Sequence, residues 1–142
     1  MSDLLHQSAL QLAARIRAGE LTSVAVVEAH IARLRQVNPV LNAVVVDRIA
    51  DARVEAAEAD REVAAARAAG TLSELPPLLG VPCTIKENLH FAGMPNTAGL
   101  VSRIGRKVAE DAPTVARLRA AGAVPLGVTN TSEVCMWMES YN

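Results

Sequence analysis

The sequence predicts an α/β protein, and the prediction depends on a contrast between its two halves. Up to Gly70 the apolar residues recur at three- and four-residue spacing, which is typical of amphipathic helices. After Gly70, two short apolar runs are separated by a loop and one helical segment. Strand, loop, helix and strand in succession is the element order of α/β proteins. We therefore expect a helical segment at residues 1–70 and a small sheet with its connections at residues 71–142.

Three helices are predicted in the first half, and each ends at a residue that stops helices. Thr22 offers an N-cap to the second helix, and proline disfavours helical geometry in the residue before it. Glycine is the commonest residue just past a helix end. The predicted helices are 4–18 before Gly19, 22–38 before Pro39, and 48–69 before Gly70. Between the last two, Val44-Val-Val46 is β-branched, and we expect it to be extended.

The second half contains two predicted strands and one helix. The apolar run 78–85 indicates a buried strand, and 123–128 indicates another. Residues 90–105 hold too many glycines and prolines for a regular element, so a structured loop is expected. A helix begins at Asp111 or its neighbour and runs to Ala121, with Pro113 tolerated in its first turn. Both strands lead into polar residues, at the position where α/β proteins bind ligands.

Composition and charge exclude several classes of function. The net charge is −1, and no basic cluster is present, so we expect no nucleic-acid partner. No apolar run approaches the roughly 20 residues that a membrane helix needs, and we expect no signal peptide because the residues from Met1 to His6 carry no positive charge cluster. Cys83 and Cys135 lack neighbouring histidines or cysteines at metal-ligand spacing. We expect buried or pocket thiols in the reducing cytoplasm, with no metal or cofactor, and the sequence leaves open a homodimer.

Lys86 is the residue most informative about chemistry. It follows a predicted buried strand, where low dielectric would disfavour the charged amine and lower its pKa. The chain uses arginine almost throughout, and Lys86 and Lys107 are its two lysines. Because arginine does not release its proton in proteins, a position that needs a neutral amine must be lysine. The alternative is an ordinary strand-end lysine that extends into solvent or pairs with Glu87. Lys107 lies in a polar loop and is expected to be solvated.

Four separated sequence blocks resemble the amidase-signature family, and they occur in the family's order. The blocks are Leu79-Gly-Val-Pro-Cys-Thr-Ile-Lys-Glu-Asn88, Gly93-Met-Pro-Asn-Thr-Ala-Gly99, Asp111-Ala-Pro-Thr-Val-Ala-Arg-Leu-Arg-Ala-Ala-Gly-Ala123 and Gly127-Val-Thr-Asn-Thr-Ser-Glu133. Four ordered blocks are far more specific than one short motif. The resemblance covers about residues 78–142. It implies the first strands and helices of an α/β/α sandwich with a mixed sheet, as the incomplete amino-terminal part of one domain.

The resemblance also implies an activity and a catalytic residue. Lys86 corresponds to the family's catalytic lysine in a Lys-Ser-Ser triad, which hydrolyses carboxamide or ester bonds through a covalent intermediate. Within the family, Met94-Pro-Asn-Thr97 and Cys135-Met-Trp-Met-Glu139 are more similar to fatty-acid amide hydrolases than to amidotransferase subunits. Val128 departs from the lysine that many members have there, but this position is not the catalytic one. The implied partner is therefore a small amide or ester substrate.

The two serines of the triad are not found among these residues. In the family they lie in a glycine- and serine-rich segment after the lysine, and Ser102, Ser132 and Ser140 have no such setting. Ser132 is better explained as a helix cap. The apolar residues 135–138 stand immediately before the last residues, which is unusual for a domain end. We therefore expect a fragment that is inactive alone.

Cys135 is the second candidate site residue. By resemblance it lies close to the acyl group of the substrate, so it could line the substrate pocket. Core packing is the alternative for Cys135, and it is the favoured explanation for Met136, Trp137 and Met138. Asn130 is expected to hold the strand-end loop by hydrogen bonds, and His90 to be an ordinary loop residue.

Two other functions remain open at this point. One is a non-catalytic interaction module that keeps the fold but binds a partner. The other is an amidotransferase subunit that works with partner subunits and an ammonia source. Hydrolysis of simple amides would separate an amidase from the amidotransferase subunit, and a glycine- and serine-rich stretch encoded after Asn142 would separate the enzyme from the interaction module.

Overall fold

Three long helices account for most of the first half of the chain. The computed structural model describes residues 2–140. The helices are α1 Ala9–Ala18, α2 Ser23–Leu41 and α3 Ile49–Ala69. The expected end of α3 at Gly70 is confirmed, since this glycine has a φ of 73° and its N–H closes the last turn.

The first helix begins later than the sequence pattern predicted. Residues Ser2–His6 form a separate 3₁₀ helix, and Ser8 then caps α1. Its hydroxyl accepts from the Gln11 N–H at 3.3 Å, while Gln11 Oε1 accepts from the Ser8 N–H at 2.8 Å. This reciprocal capping box starts a new helix at Ala9, so the prediction of one helix from residue 4 was wrong.

The second helix continues through the proline that was expected to end it. Pro39 lies in the last turn of α2, which ends at Leu41 with Asn42 in a left-handed conformation (φ 47°). The Asn38 side chain binds both backbone groups of Val44, accepting from its N–H at 2.8 Å and donating to its carbonyl at 2.9 Å. These bonds hold Asn38 helical despite the proline after it, so the predicted stop at residue 38 was wrong.

The sheet has three strands and is mixed, as the fold class predicted. The strands are β1 Val44–Asp47, β2 Pro82–Lys86 and β3 Val124–Thr129. The strand order is β1-β3-β2, with β1 antiparallel and β2 parallel to β3. Because β1 comes from the first half of the chain, both halves share this sheet. The boundary at residue 70 stays a prediction.

The strand before the polar residues is shorter and less buried than expected. Residues 77–80 form a turn, so β2 starts at Pro82 and includes Lys86. It lies at the edge of the sheet in residues 2–140, and Thr84 and Lys86 are exposed on it. The prediction of a buried strand over 78–85 therefore holds only for part of that run.

The last helix and its flanking loop agree with the sequence. Helix α4, Pro113–Ala120, begins after Ala112 with its proline in the first turn, and Gly122 follows it with a φ of 87°. The preceding loop contains a short 3₁₀ helix, Val101–Arg103, and an isolated bridge between Pro95 and Lys107.

Apolar side chains pack both ends of β3 against helices. Val124 and Leu126 lie among residues of α2 and α3, while Val128 packs with Ile85, Phe91 and Val115 of α4. Burial of these side chains supplies most of the stabilising free energy, at about 25 cal/mol per Å² of apolar surface. Among residues 2–140, none of the helices combines the length and the apolar character that a bilayer crossing requires.

Candidate active site

The parallel pairing of β2 and β3 brings two polar segments to one edge of the sheet. Lys86 stands opposite Thr129 in the register, and the chain continues from them into Glu87-Asn88 and Asn130-Thr131. The ends of parallel strands meet at one edge, which is where α/β proteins place their sites. The polar residues predicted after each strand are therefore present at this edge, and the parallel pairing brings the two segments together.

Lys86 is held by a backbone carbonyl of the neighbouring strand end. Its Nζ donates a hydrogen bond to the carbonyl oxygen of Asn130. The side chain is exposed, so the low-dielectric setting that the sequence suggested is absent among residues 2–140. The alternative pairing with Glu87 is also absent, because that carboxylate binds the N–H groups of Thr97 and Ala98. The role of Lys86 as a base stays a prediction.

Glu87 is almost completely buried, with 1% of its surface exposed. One carboxylate oxygen accepts from the Thr97 N–H, and the other accepts from the Ala98 N–H at 2.9 Å. Its own carbonyl accepts from Asn96 Nδ2 at 2.9 Å, and its N–H donates to the Thr129 carbonyl at 3.0 Å. Sequence reasoning missed this residue, since a glutamate after a strand normally faces water.

Asn130 holds the strand-end loop through its backbone. Its N–H donates to the Ala43 carbonyl at 2.8 Å, and its carbonyl accepts from Lys86. The structural role expected for it is thus carried by main-chain atoms. The side-chain Oδ1 is enclosed and has no hydrogen-bond partner among the described residues.

Cys135 lies beside the strand-end segments but is exposed. Its Sγ accepts from Asn88 Nδ2 at 3.0 Å and lies 3.2 Å from Thr131 Oγ1. It follows Val134, and both residues have positive φ, at 59° and 52°. Of the two alternatives expected for this thiol, burial is excluded by its exposure, and a place in a substrate pocket stays a prediction.

The other cysteine and the histidines lie outside this site. Cys83 is half-buried on β2, and burial raises the pKa of its thiol to about 11, with the Glu55 carboxylate adding to the effect. His30 contacts the Val26 carbonyl through Nδ1 at 2.8 Å, and His90 is exposed in its loop. Within residues 2–140, no group of three or more His, Cys, Asp or Glu side chains is arranged to hold a metal ion.

The candidate serines make no hydrogen bond to Lys86 within the described residues. Ser132 is at the predicted N-cap position, before a short 3₁₀ helix, Glu133–Cys135, but its hydroxyl accepts from the Trp137 N–H at 3.4 Å and makes no capping bond. Ser102 and Ser140 are exposed. Among residues 2–140, no serine hydroxyl hydrogen-bonds to Lys86.

The apolar segment after Cys135 is open to solvent. Met136, Trp137 and Met138 are 79%, 72% and 96% exposed. The prediction of core packing for these three residues was wrong, because no element within residues 2–140 covers them. Large apolar side chains exposed together mark a surface that contacts another group.

Comparison with known proteins identifies the class to which this fold belongs. The Amidase family profile matches residues 25–142. The chain therefore belongs to the amidase family.

The chain is similar to fatty-acid amide hydrolases and to amidotransferase subunits. Fatty-acid amide hydrolase 2-B of Danio rerio is 53% identical over 98% of this chain. The structure of a fatty acid amide hydrolase superposes with a TM-score of 0.87 over 99% of the chain, at 28% identity. A glutamyl-tRNA(Gln) amidotransferase subunit of Streptomyces coelicolor is 38% identical over 100% of the chain. The chain covers 27%, 24% and 27% of these proteins, respectively, or about a quarter of their length.

Proposed function

We propose that this chain supplies the lysine base of an enzyme that hydrolyses carboxamide or ester bonds through a Lys-Ser-Ser triad. The observation that carries the proposal is the position of Lys86 at the shared end of β2 and β3, with its Nζ directed to the Asn130 carbonyl. Membership of the amidase family supports the reaction class. Cys135 is proposed to line the pocket for the acyl group.

In the proposed reaction, Lys86 first accepts a proton and later gives it to the leaving group. Neutral Lys86 accepts a proton from a bridging serine, which takes the proton of the nucleophilic serine as its oxygen attacks the carbonyl carbon. Backbone N–H groups stabilise the oxyanion, and the lysine returns the proton to the leaving amine as the C–N bond breaks. Water then hydrolyses the acyl-enzyme. No cofactor is required.

Two requirements follow from the geometry. The serines must come from residues other than Ser102, Ser132 and Ser140, which do not reach Lys86. Water must also be excluded from Lys86, because its side chain is exposed here and such chemistry proceeds in a site closed to solvent. Substrate and the serine-bearing segment would supply that exclusion of water. We therefore expect the 142-residue chain alone to show no amidase activity.

The test uses this chain alone and together with a complementary segment. The complement is the part of a fatty-acid amide hydrolase that this chain does not match, co-expressed with it. We expect aryl amide hydrolysis only when both are present. Lys86→Arg should reduce kcat by at least about 10³-fold, because arginine keeps the donor to Asn130 but cannot act as a base.

Lys107→Arg is the matched control, since Lys107 is the other lysine and lies exposed in a loop. It should keep full activity. Full activity of Lys86→Arg would show that Lys86 is not the base. Hydrolysis by the isolated chain that depends on Lys86 would overturn the requirement for serines from elsewhere.

The similarity to an amidotransferase subunit favours one second candidate. In that case the complemented protein would release ammonia from glutamine only in the presence of partner subunits, and simple aryl amides would not be hydrolysed. Comparing glutamine with an aryl amide in the same assay separates the two candidates.

A further inference from the structure

The buried carboxylate of Glu87 needs an explanation that the proposed triad does not give. An ionised carboxylate loses several kcal/mol of hydration on burial unless charges or hydrogen bonds compensate. Among residues 2–140, no lysine, arginine or histidine lies within ion-pair distance of it. Its compensation comes from the N–H groups of Thr97 and Ala98, which bind its two oxygens. Both carboxylate oxygens therefore bind the same loop, residues 96–99.

That loop has a backbone shape that Glu87 enforces. Ala98 has a φ of 50°, which is unfavourable for a residue with a Cβ, and Gly99 follows with a φ of 75°. The Glu87 oxygens fix the two N–H groups that lead into this turn. The Asn96 side chain, 3% exposed, fixes the start of the loop through the Glu87 carbonyl.

The same loop contacts the second strand end. The Ala98 carbonyl accepts from the Val134 N–H at 2.7 Å. A Cβ on Gly99 would stand 2.8 Å from the Glu133 nitrogen, so the two backbones are in direct contact. Val134 precedes Cys135, the residue that meets Asn88 from the first strand end. A continuous series of bonds thus runs from Glu87 through the 96–99 loop to the Cys135 segment.

We infer that Glu87 is a positioning residue, which fixes the distance between the strand end that carries Lys86 and the segment that carries Cys135. It does so by holding the 96–99 loop between them. Its effect on catalysis rests on the proposed function, whereas its effect on geometry does not. Glu87 touches no substrate in this role and acts through the residues on either side of it.

The first experiment measures geometry on the 142-residue chain. In Glu87→Gln, the amide group offers one acceptor oxygen to two N–H groups, so one bond is lost. Hydrogen exchange at Thr97 or Ala98 should accelerate at least about tenfold, and so should exchange at Val134. Alkylation of Cys135 by iodoacetamide should also speed up several-fold. Exchange in α2 should not change.

Glu110→Gln is the matched control, since this carboxylate is exposed in a loop of the same half. It should alter none of these rates. Accelerated exchange at Thr97 and Ala98 with no change at Val134 or Cys135 would contradict the inference, because Glu87 would then stabilise only its own loop. If Glu87→Gln fails to fold, Glu87→Asp keeps the charge with a shorter reach and must give the same pattern.

The second experiment uses the complemented enzyme with an aryl ester substrate. Glu87→Gln should lower kcat by roughly 10- to 100-fold with KM changed less than about threefold, as displaced catalytic groups do. In a Lys86→Arg background it should cause no further loss. An equal loss in both backgrounds would show a general structural effect. If the unmutated complemented protein is inactive, the proposed function fails, and the exchange experiment still decides the role of Glu87.

Discussion

The side of the sheet covered by α2 and α3 and the strand ends at Lys86 and Thr129 are built by different means. Where β3 faces the helices, its Leu126 packs with Val27 and Ile31 of α2, and these three aliphatic side chains are at most 4% exposed. At the strand ends, backbone N–H groups bind the Glu87 carboxylate, and Trp137 stands 72% exposed nearby. Apolar burial dominates the first region, whereas specific polar bonds hold the residues that follow the strand ends.

Because the two regions are held together differently, a substitution is expected to have a different effect in each. Removing volume from the helix-covered side leaves a cavity and lowers global stability. Removing an apolar side chain from the exposed segment leaves no cavity, and its consequence appears only when another group binds there. The two regions can therefore be separated by matched substitutions.

The largest expected effect is on the helix-covered side. Ile31 of α2, 1% exposed, packs with residues of α3 and β3. Ile31→Ala should lower the free energy of unfolding by about 3 kcal/mol, from lost burial and the residual cavity. Trp137→Ala removes a larger side chain but should change the free energy of unfolding by less than about 0.5 kcal/mol. Urea denaturation followed by circular dichroism measures both. Equal losses would show that Trp137 is packed in solution, contrary to its exposure.

Sequence patterns predicted the first region better than the second. The period of the apolar residues predicted α3 and its end at Gly70, because burial of one helix face needs only that period. It failed at Pro39, where two bonds from Asn38 to a residue six positions away keep the helix intact. Local preferences do not include such a partner.

The strand ends were predicted in position but not in detail. The two strands and the polar residues after each of them were predicted, and the parallel pairing that brings these segments together comes from the structure. The buried state of Glu87 depends on the 96–99 loop folding back over it, and the exposure of Trp137 depends on which elements lie nearby. Neither follows from the spacing of residues within a segment. A strand followed by Lys-Glu-Asn and a glycine-rich turn was the available signal for Glu87.

An intermediate effect is expected where the 96–99 loop meets the Cys135 segment. Gly99 and Gly105 both have positive φ, at 75° and 81°, but only Gly99 lies against backbone. Gly105→Ala should lower the free energy of unfolding by about 1 kcal/mol, from the left-handed conformation alone. Gly99→Ala should lower it by roughly 2 kcal/mol, since its Cβ also displaces Glu133. Thermal denaturation compares the pair. Similar losses would mean that the two segments separate easily.

The smallest of these effects is expected at Asp111, which joins the loop to α4. Burial acts to raise the pKa of this carboxyl, but hydrogen bonds from the Ala92 N–H at 2.7 Å and from Arg119 at 2.7 Å outweigh it and hold the pKa below its ordinary value of 3.8. A carboxyl with a lowered pKa contributes stability above its unfolded pKa, and this is lost as pH falls through the folded pKa. Asp111→Asn should therefore lower the free energy of unfolding by about 1 kcal/mol at neutral pH.

That difference should persist down to about pH 5 and shrink below about pH 4, as Asp111 itself becomes protonated in the parent chain. Urea denaturation of both chains at several pH values measures it. Glu110→Gln, at the exposed neighbouring position, should change stability by less than about 0.5 kcal/mol at neutral pH. A difference between the Asp111 chains that grows as pH falls would mean that folding raises the pKa of Asp111. Desolvation would then dominate over Ala92 and Arg119, and the loop that carries Phe91 would be held to α4 by apolar packing instead of by this carboxylate.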